Sequence, residues 1–542
     1  MPRPSAAARF DLSRRLAWAV AAVTIALAGC GGGGGDSPPP APQISAGPNC
    51  PLQYTLTDSP LLTGADPLLA NQWHLQNTGQ NGGTPGEDTR ARLAWATTKG
   101  TGIRVAVVDD GVEIVHPDLA PNVVAGASFS YRSGNRGSVY PVPCTADDDH
   151  GTSVAGIVLA RDDNALGGAG VAPRASLVAY DALASSLDAD VADALNRDSQ
   201  LNAIYQNSWG SPDDGAVHRA EASFVSAIEA GIAGGRGGRG SIFVFPAGNG
   251  GCFARDRATG LCQVDNSNLD GYVNQRGVIT VCAVDDSGRQ AWYGEPGANV
   301  LVCAPSSGDK AVGITTTTIR SEYRNNFSGT SASTPMVSGV VALMLATNPQ
   351  LTWRDVRLIL AATARQNDPG NAGWTSHYGY RFNHRYGFGV ADAQAAVAAS
   401  QTWTSVGGNA QQKVCGPYVR TPALPLRDPG AGGALSPATD SVTVTGCDIS
   451  QIEFVEIRLT TTHPYIGDLR LRLTSPNGLA SELADQRLCA GSGGCGNYAD
   501  WPFGSVRHLG EPANGVWTFE ATDMAVADEG SFDRWSIRFY GR

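Results

Sequence analysis

Three stretches of this chain place reactive side chains at the ends of recognisable elements. Asp109 closes the apolar run VAVVD and is followed by DGVEIVHPDL, His150 opens HGTSVAGIVLA, and Ser331 lies in SGTSASTPMVSGVVALMLA. A serine hydroxyl is a weak nucleophile until a base takes its proton, and a neutral imidazole has the pKa for that task. A carboxylate on the other ring nitrogen would fix the tautomer of His150 and stabilise its imidazolium form. The run after Ser331 is apolar almost all round, so the serine sits at the start of a buried helix, with Pro335 expected in the first turn. There the backbone N–H groups and the helix dipole favour developing negative charge.

His150 follows directly on Asp147, Asp148 and Asp149. Taken alone, that stretch has three readings: a solvated acidic loop, a metal site, or a catalytic histidine with acidic neighbours that serve the substrate. A lone Gly-Thr-Ser carries almost no information. The three stretches together, in the order Asp, His, Ser and each on an element end, carry a great deal.

The elements that must position these residues read as two styles. IRVAVVD (103–109), SLVAYD (176–181), AIYQNSWG (203–210), SIFVFPAGN (241–249) and VITVCAV (278–284) are near-continuous apolar runs, as strands buried on both faces of a parallel sheet are. ADVADALNRDS and EASFVSAIEAGIAGG between them read as helices, which gives an α/β fold with sites just past the carboxyl ends of the strands. After about residue 400, IEFVEIRL (452–459) and DLRLRLTS (468–475) alternate strictly, and Leu469, Leu471 and Leu473 face away from Arg470 and Arg472. Such strands are half-buried and antiparallel, so the C-terminal part reads as an all-β sandwich.

Composition bounds the function. The 542 residues are 42% hydrophobic and 16% charged, the balance of a globular protein, and the net charge of −11 speaks against nucleic acid as a partner. Arg3, Arg9, Arg14 and Arg15 precede the run LAWAVAAVTIALA, too short to span a membrane stably, which ends in LAGC. The stretch reads as a signal peptide, and it resembles a bacterial lipobox, whose cysteine, here Cys30, receives lipid. GGGGGDSPPPAP follows, the composition of a flexible tether. Of eleven cysteines, ten then remain for disulfides in an oxidising compartment. Proximity pairs Cys252 with Cys262, Cys282 with Cys303, Cys415 with Cys447 and Cys489 with Cys495, and elimination leaves Cys50 with Cys144. No cysteines stand in a C-x-x-C arrangement, so zinc is not expected.

With these flanks, the chain order Asp109, His150, Ser331 resembles the subtilisin superfamily. Beside such a triad, Asn249 at the end of FVFPAGN reads as a side-chain donor to the oxyanion, with the Ser331 backbone N–H as the second; alone it would read as a turn residue. DDGVEIVHPDL, SWGSPDDG, GNGG, DNSNLDGY and WYGEPG narrow the resemblance to the kexin/furin branch, the proprotein convertases. YIGDLRLRLTSPNG and GVWTFEATDMAVADEGSFDRWSIRFYG resemble the P (Homo B) domain that follows the protease there.

Carried over residue by residue, the resemblance implies that Asp213 and Asp270 are acids of the S1 pocket, which takes the residue before the scissile bond. Two carboxylates in a narrow pocket repel unless a cation lies between them, so Arg or Lys is the natural occupant. Asp110 and Asp147 match acids around S2, and Asp148 and Asp149 are expected as solvated loop. Asp190 and Asp193 lie near the place of S4 acids, with the register open. Calcium is the implied cofactor. One site comprises Asp66, Asp118, Asn164 and the carbonyls of Arg161, Leu166 and Gly168; a second comprises Asp213, Asp265 and Glu295. A third family site is not expected, because SYRSGNRGS stands where its acids would be.

The resulting organisation is a signal peptide over 1–29, a Gly/Pro-rich tether over 30–58, a subtilisin-like protease over 59–400, a linker over 401–414 and a jelly-roll-like P domain over 415–542. The expected function is a calcium-dependent serine endopeptidase cutting proteins after basic, preferably dibasic, sites, exported and lipid-anchored to the bacterial envelope through Cys30. The family usually carries a folded propeptide, and the stretch after Cys30 is too short for one, which leaves the route of folding open, a separate helper protein being one answer. A broad subtilisin and a catalytically idle surface-binding lipoprotein are the alternatives.

Overall fold

The computed structural model describes residues 41–56, 62–252, 254–255, 262–310, 312–489 and 495–542, excepting the side chains of 254, 255 and 262. The expected signal peptide and Cys30 lie outside these. Six parallel strands form the central sheet: β1 (Arg104–Val108), β2 (Ser176–Tyr180), β3 (Ile204–Asn207), β4 (Ile242–Pro246), β5 (Val278–Val284) and β6 (Val300–Pro305), in the order β6-β5-β4-β3-β1-β2. Every residue of β3, β4, β5 and β6 is buried, which is why these runs show no alternation. Cys282 and Cys303 face one another in register on β5 and β6 and form a disulfide.

Two buried helices bring the remaining chemistry to the carboxyl edge of this sheet. Helix α1 (His150–Leu159) starts with His150 itself. It approaches β1 closely because residue 151 is glycine: a Cβ there would stand 2.3 Å from the Gly111 carbonyl oxygen and 2.8 Å from Asp109 Cβ. Helix α2 (Thr330–Thr347) is long and apolar enough to cross a membrane, yet it packs against α1 and β5 as the core helix. Pro335 is its sixth residue, not a first-turn residue as expected from the sequence, because the helix already begins at Thr330. The missing N–H would have paired with the Ser331 carbonyl. Ser208 Oγ takes that carbonyl instead, at 3.0 Å.

The C-terminal part is two antiparallel sheets sharing one core that includes Trp501, Trp517 and Trp535. Leu469, Leu471 and Leu473 are fully buried on Leu469–Thr474, while Arg472 on the other face donates to Glu482 at 2.8 Å across the strand pair. The two domains are not merely joined. Phe454, Val506, Leu509 and Tyr540 of the β domain belong to the core of the α/β domain, and Leu269 and Ala298 of the latter belong to the β core. A buried ion pair clasps them: Arg354, in helix α3 (Trp353–Thr363), donates twice to Glu453, at 2.8 and 2.6 Å. Arg354 also holds the carbonyls of Val406 and Gly408 in the connecting segment.

The tether expected through residue 58 is shorter than its composition suggested. Gln43–Ile44 pairs with Tyr54–Thr55, Ala46 and Tyr54 are buried, and Cys50 is bonded to Cys144. Apolar and cysteine side chains past the Gly/Pro run dock this segment on the body. The remaining disulfides are Cys415–Cys447 and Cys489–Cys495. Cys252 is also disulfide-bonded, and the side chain of Cys262, with which it was paired from the sequence, lies outside the described residues.

Arg354→Ala leaves Glu453 buried with only the more distant Arg542, at 3.6 Å, and the Gln412 amide, and is predicted to cost about 2–4 kcal/mol of stability. The double variant Arg354→Met, Glu453→Leu should cost less than either single change, as thermal denaturation of the four proteins would measure. Equal melting of wild type and Arg354→Ala would exclude the clasp.

Candidate active site

Asp109 is the residue after β1 and is 1% exposed. Its Oδ1 lies 2.9 Å from His150 Nδ1 at the head of α1. Ser331, the second residue of α2, is half-buried, and its Oγ donates to the Ser208 carbonyl at 3.1 Å. Serine and Ser208 therefore exchange two hydrogen bonds, which tie the start of α2 to the segment after β3. Asn249 follows β4. Its Oδ1 accepts from the Thr330 N–H at 2.8 Å and the Thr330 hydroxyl at 3.0 Å, and among the described residues the amide NH2 has no acceptor. Asp109, Asn249 and Ser331 thus meet at the carboxyl ends of β1, β3 and β4.

The aspartates before His150 have separate fates. Asp148 pairs with Arg132 at 2.9 Å and accepts from the Cys144 N–H, and Asp149 pairs with Arg324 at 2.9 Å. They are neutralised anchors, not the solvated loop expected from the run of charge. Asp147 is exposed, and among the described residues its carboxylate is paired with no cation. Asp110 accepts from the His150 N–H at 3.3 Å and the Gly151 N–H at 2.9 Å, so it caps α1 from a distant part of the chain. Burial and the Asp109 charge push the Asp110 carboxyl up to about 8. Burial alone would lower His150, but the charge and hydrogen bond of Asp109, joined by Asp110 and Asp149, outweigh it and lift the imidazole to about 9.

A small cavity of about 10 Å³ beside Asn249, room for about one water, is lined by Asp213, Asp265, Asp270 and Glu295. Asp270 is held by the Ser211 N–H and hydroxyl, both at 3.0 Å, and by the Tyr272 N–H at 2.7 Å. Asp213 accepts from the Asn249 N–H at 3.1 Å, Glu295 from the Gly250 N–H at 2.9 Å, and Asp265 from the Gly215 and Asn266 N–H groups. A Cβ on Gly250 would stand 2.6 Å from Asp265 Cβ and 2.9 Å from Glu295 Oε1, so glycine is what lets the acids close on this turn. Burial first, then mutual repulsion, drives Glu295 well up, and burial lifts Asp265 to about 6.

Asp66, Asp118 and Asn164 also converge. Asp66 accepts from the Asp163 and Asn164 N–H groups, and Asn164 Nδ2 donates to Asp118 Oδ1 at 2.7 Å. Asp118 Oδ2 is buried without a partner in hydrogen-bonding geometry, and burial pushes that carboxyl up to about 7. Among the described residues the carbonyls of Arg161, Leu166 and Gly168 accept no hydrogen bond. Both clusters offer the hard oxygen donors that calcium takes, but among the described residues no three acidic, histidine or cysteine side chains stand close enough together to form a preassembled metal site. Asp190 and Asp193, by contrast, are occupied: Arg136 donates twice to Asp190, at 2.7 and 2.6 Å, and Arg197 pairs with Asp193.

Comparison with known proteins decides the family. Residues 100–389 match the subtilase family, and residues 452–539 match the proprotein convertase P domain. The chain belongs to the subtilase family. Neuroendocrine convertase 2 of Sus scrofa is 33% identical over 498 residues, 88% of this chain and 74% of the relative. The dibasic-processing endoprotease of Schizosaccharomyces pombe is 34% identical over 492 residues, 88% of this chain and 65% of that protein. Among solved structures, the serine protease of Aeromonas sobria in complex with a chaperone superposes with a TM-score of 0.78 at 25% identity, covering 89% of this chain and 96% of that one. This subtilase is thus a serine endopeptidase of the kexin/furin branch with a P domain after its catalytic domain.

Sequence reasoning did not reach Ser208, the ion-pairing roles of Asp148 and Asp149, or Asp110 as a helix cap. Ser208 had a signal in the Pro335 gap, since the freed carbonyl of Ser331 needs a donor. The imidazolium form of His150 cannot accept a proton from Ser331, so activity must fall as pH drops through its raised pKa. The acidic limb of the kcat/KM profile is therefore predicted above pH 6.5, the ordinary imidazole value. A limb at or below that value would show that the surrounding carboxylates do not act on the base.

Proposed function

We propose that this subtilase is a calcium-dependent endopeptidase that cleaves proteins after basic residues, with a basic residue also favoured at P2. The observation that carries the reading is the cluster of carboxylates beside Asn249, Asp213, Asp265, Asp270 and Glu295, whose negative charge calls for a cationic side chain. A guanidinium or ammonium group reaching the cluster would meet Asp213 and Asp270. Asp147, exposed and without a cation among the described residues, would meet the P2 side chain, with Asp110 behind it. Asp190 and Asp193 are spent on the chain's own arginines, which argues against a four-residue basic motif.

In the reaction, Ser331 Oγ leaves the Ser208 carbonyl and attacks the scissile carbonyl carbon while His150 Nε2 takes its proton. Asp109 holds Nδ1–H and stabilises the imidazolium. The Asn249 amide and the Ser331 N–H, the latter without an intrahelical acceptor at the helix start, donate to the oxyanion. His150 then returns the proton to the leaving amine, and water repeats the cycle on the acyl-enzyme. Calcium, when bound, supplies positive charge that lets buried carboxylates ionise together. Asp66, Asp118, Asn164 and the carbonyls of Arg161, Leu166 and Gly168 would hold one ion; Asp213, Asp265 and Glu295 would hold another. We further propose export with lipid attachment at Cys30, on the LAGC signal, and folding assisted by a separate helper protein. The helper finds a parallel in the chaperone solved with the Aeromonas sobria protease.

Ser331→Ala should abolish peptide hydrolysis while leaving the melting temperature within about 1 °C, because a half-buried hydroxyl at a helix start contributes little packing. Wild-type turnover in this variant would refute the triad. Removal of calcium has a pH signature as well. Asp265 and Glu295 have raised pKa values in the folded chain, so the folded state retains protons that the unfolded chain gives up. Without a cation, stability must then fall as pH rises from the ordinary carboxylate range through pH 6. In excess EGTA the melting temperature is predicted to drop, and to drop further at pH 7.5 than at pH 5. Identical melting with calcium and with EGTA at both pH values would remove the calcium sites.

A further inference from the structure

We propose that Arg487, carried by the P domain, is a positioning residue for the primary specificity pocket of the catalytic domain. The inference rests on the reading of Asp213 and Asp270 as the acids of that pocket. Arg487 is 2% exposed, and its Nε donates to the Gly215 carbonyl at 2.6 Å. The N–H of the same Gly215 donates to Asp265 Oδ2 at 2.8 Å. One glycine is therefore held from both sides, by a guanidinium of one domain and a carboxylate of the other.

The segment that Gly215 occupies links the pocket acids. Asp213 begins it and accepts from the Asn249 N–H. His218 ends it and exchanges backbone hydrogen bonds with Leu269 and Gly271, on either side of Asp270. The P domain grips the segment a second time through the Val217 N–H, which donates to the Cys495 carbonyl at 3.1 Å. Where Gly215 sits thus decides where Asp213, Asp265 and Asp270 sit relative to one another.

The charge of Arg487 is also informative. Its other hydrogen bonds go to the Asp485 carbonyl at 3.3 Å and the Tyr498 hydroxyl at 3.4 Å, and among the described residues it forms no salt bridge. A buried guanidinium without a carboxylate partner is costly unless a diffuse negative field offsets it. The acid cluster supplies such a field. A residue that served the domain interface alone would need neither its charge nor this carbonyl. Its loss would lower stability, as loss of the Arg354 clasp does, without changing which substrate is preferred.

The test uses the full chain with calcium and two peptides that differ only at P1, arginine in one and norleucine in the other, with active sites counted by titration so that only folded enzyme is compared. In Arg487→Gln, KM for the arginine peptide should rise about tenfold, the scale of one lost charge-assisted hydrogen bond, with kcat within about twofold and the norleucine peptide unaffected. Arg487→Lys keeps the charge without the planar fork and should fall between; it carries the test if the glutamine variant does not fold. Arg354→Ala should melt earlier yet keep the wild-type ratio between the peptides. An unchanged KM, or equal losses on both peptides, would overturn the positioning role. A wild type that does not prefer arginine at all would instead overturn the reading of the pocket.

Discussion

Like charges that must share a small volume shape most of what surrounds them. Around the turn at Gly248–Gly250, Asp213, Asp265, Asp270 and Glu295 line one cavity, and Asp265 and Glu295 are almost fully buried. Buried carboxylates repel one another and resist losing water, so they persist only where donors and counter-charge are dense. The chain meets that demand with backbone N–H groups from Gly215, Asn249, Gly250 and Asn266, which cost no side-chain volume. Glycines let the acids come within reach of them. What remains unbalanced is negative charge, which is what the proposed substrate cation and metal ion would offset.

This explains why the β domain is more than an appendage. The loops that carry the acids pack little apolar surface of their own and lean on the neighbouring domain. Asn268 accepts from Trp501 Nε1 at 3.1 Å and from the Gly504 N–H at 2.7 Å, and Leu269 is buried in the β core. The interlocked cores and the Arg354–Glu453 pair hold the domains in a single register, Pro42–Arg542 forming one compact unit. Stability in one half is thereby converted into geometry in the other.

Much of this was legible in the sequence where local pattern and structure share a period. The parallel strands read as unbroken apolar runs because both faces are covered, and Leu469–Thr474 read as alternating because one face is not. Asp109, His150, Ser331 and Asn249 stood out because each closes or opens such an element. What escaped was set by partners distant along the chain. Asp149 looked like solvent-facing charge until Arg324, 175 residues away, came to rest on it. Likewise, the segment around Cys50 looked like tether because composition reports flexibility only where no bond crosses it. Pro335 was misplaced within its helix by a few residues, the usual uncertainty of an element boundary.

The Cys50–Cys144 bond spans 94 residues of sequence and ends six positions before His150. Tyr54 reinforces it by donating to the Pro143 carbonyl at 3.2 Å. A covalent bridge is the stiffest connection in a protein, so the N-terminal strand and the segment leading into His150 keep their separation whatever the intervening chain does. Asp148, bound to the Cys144 N–H and to Arg132, fixes the corner between that bridge and α1. The catalytic base is thus braced from the far end of the sequence through a single covalent step.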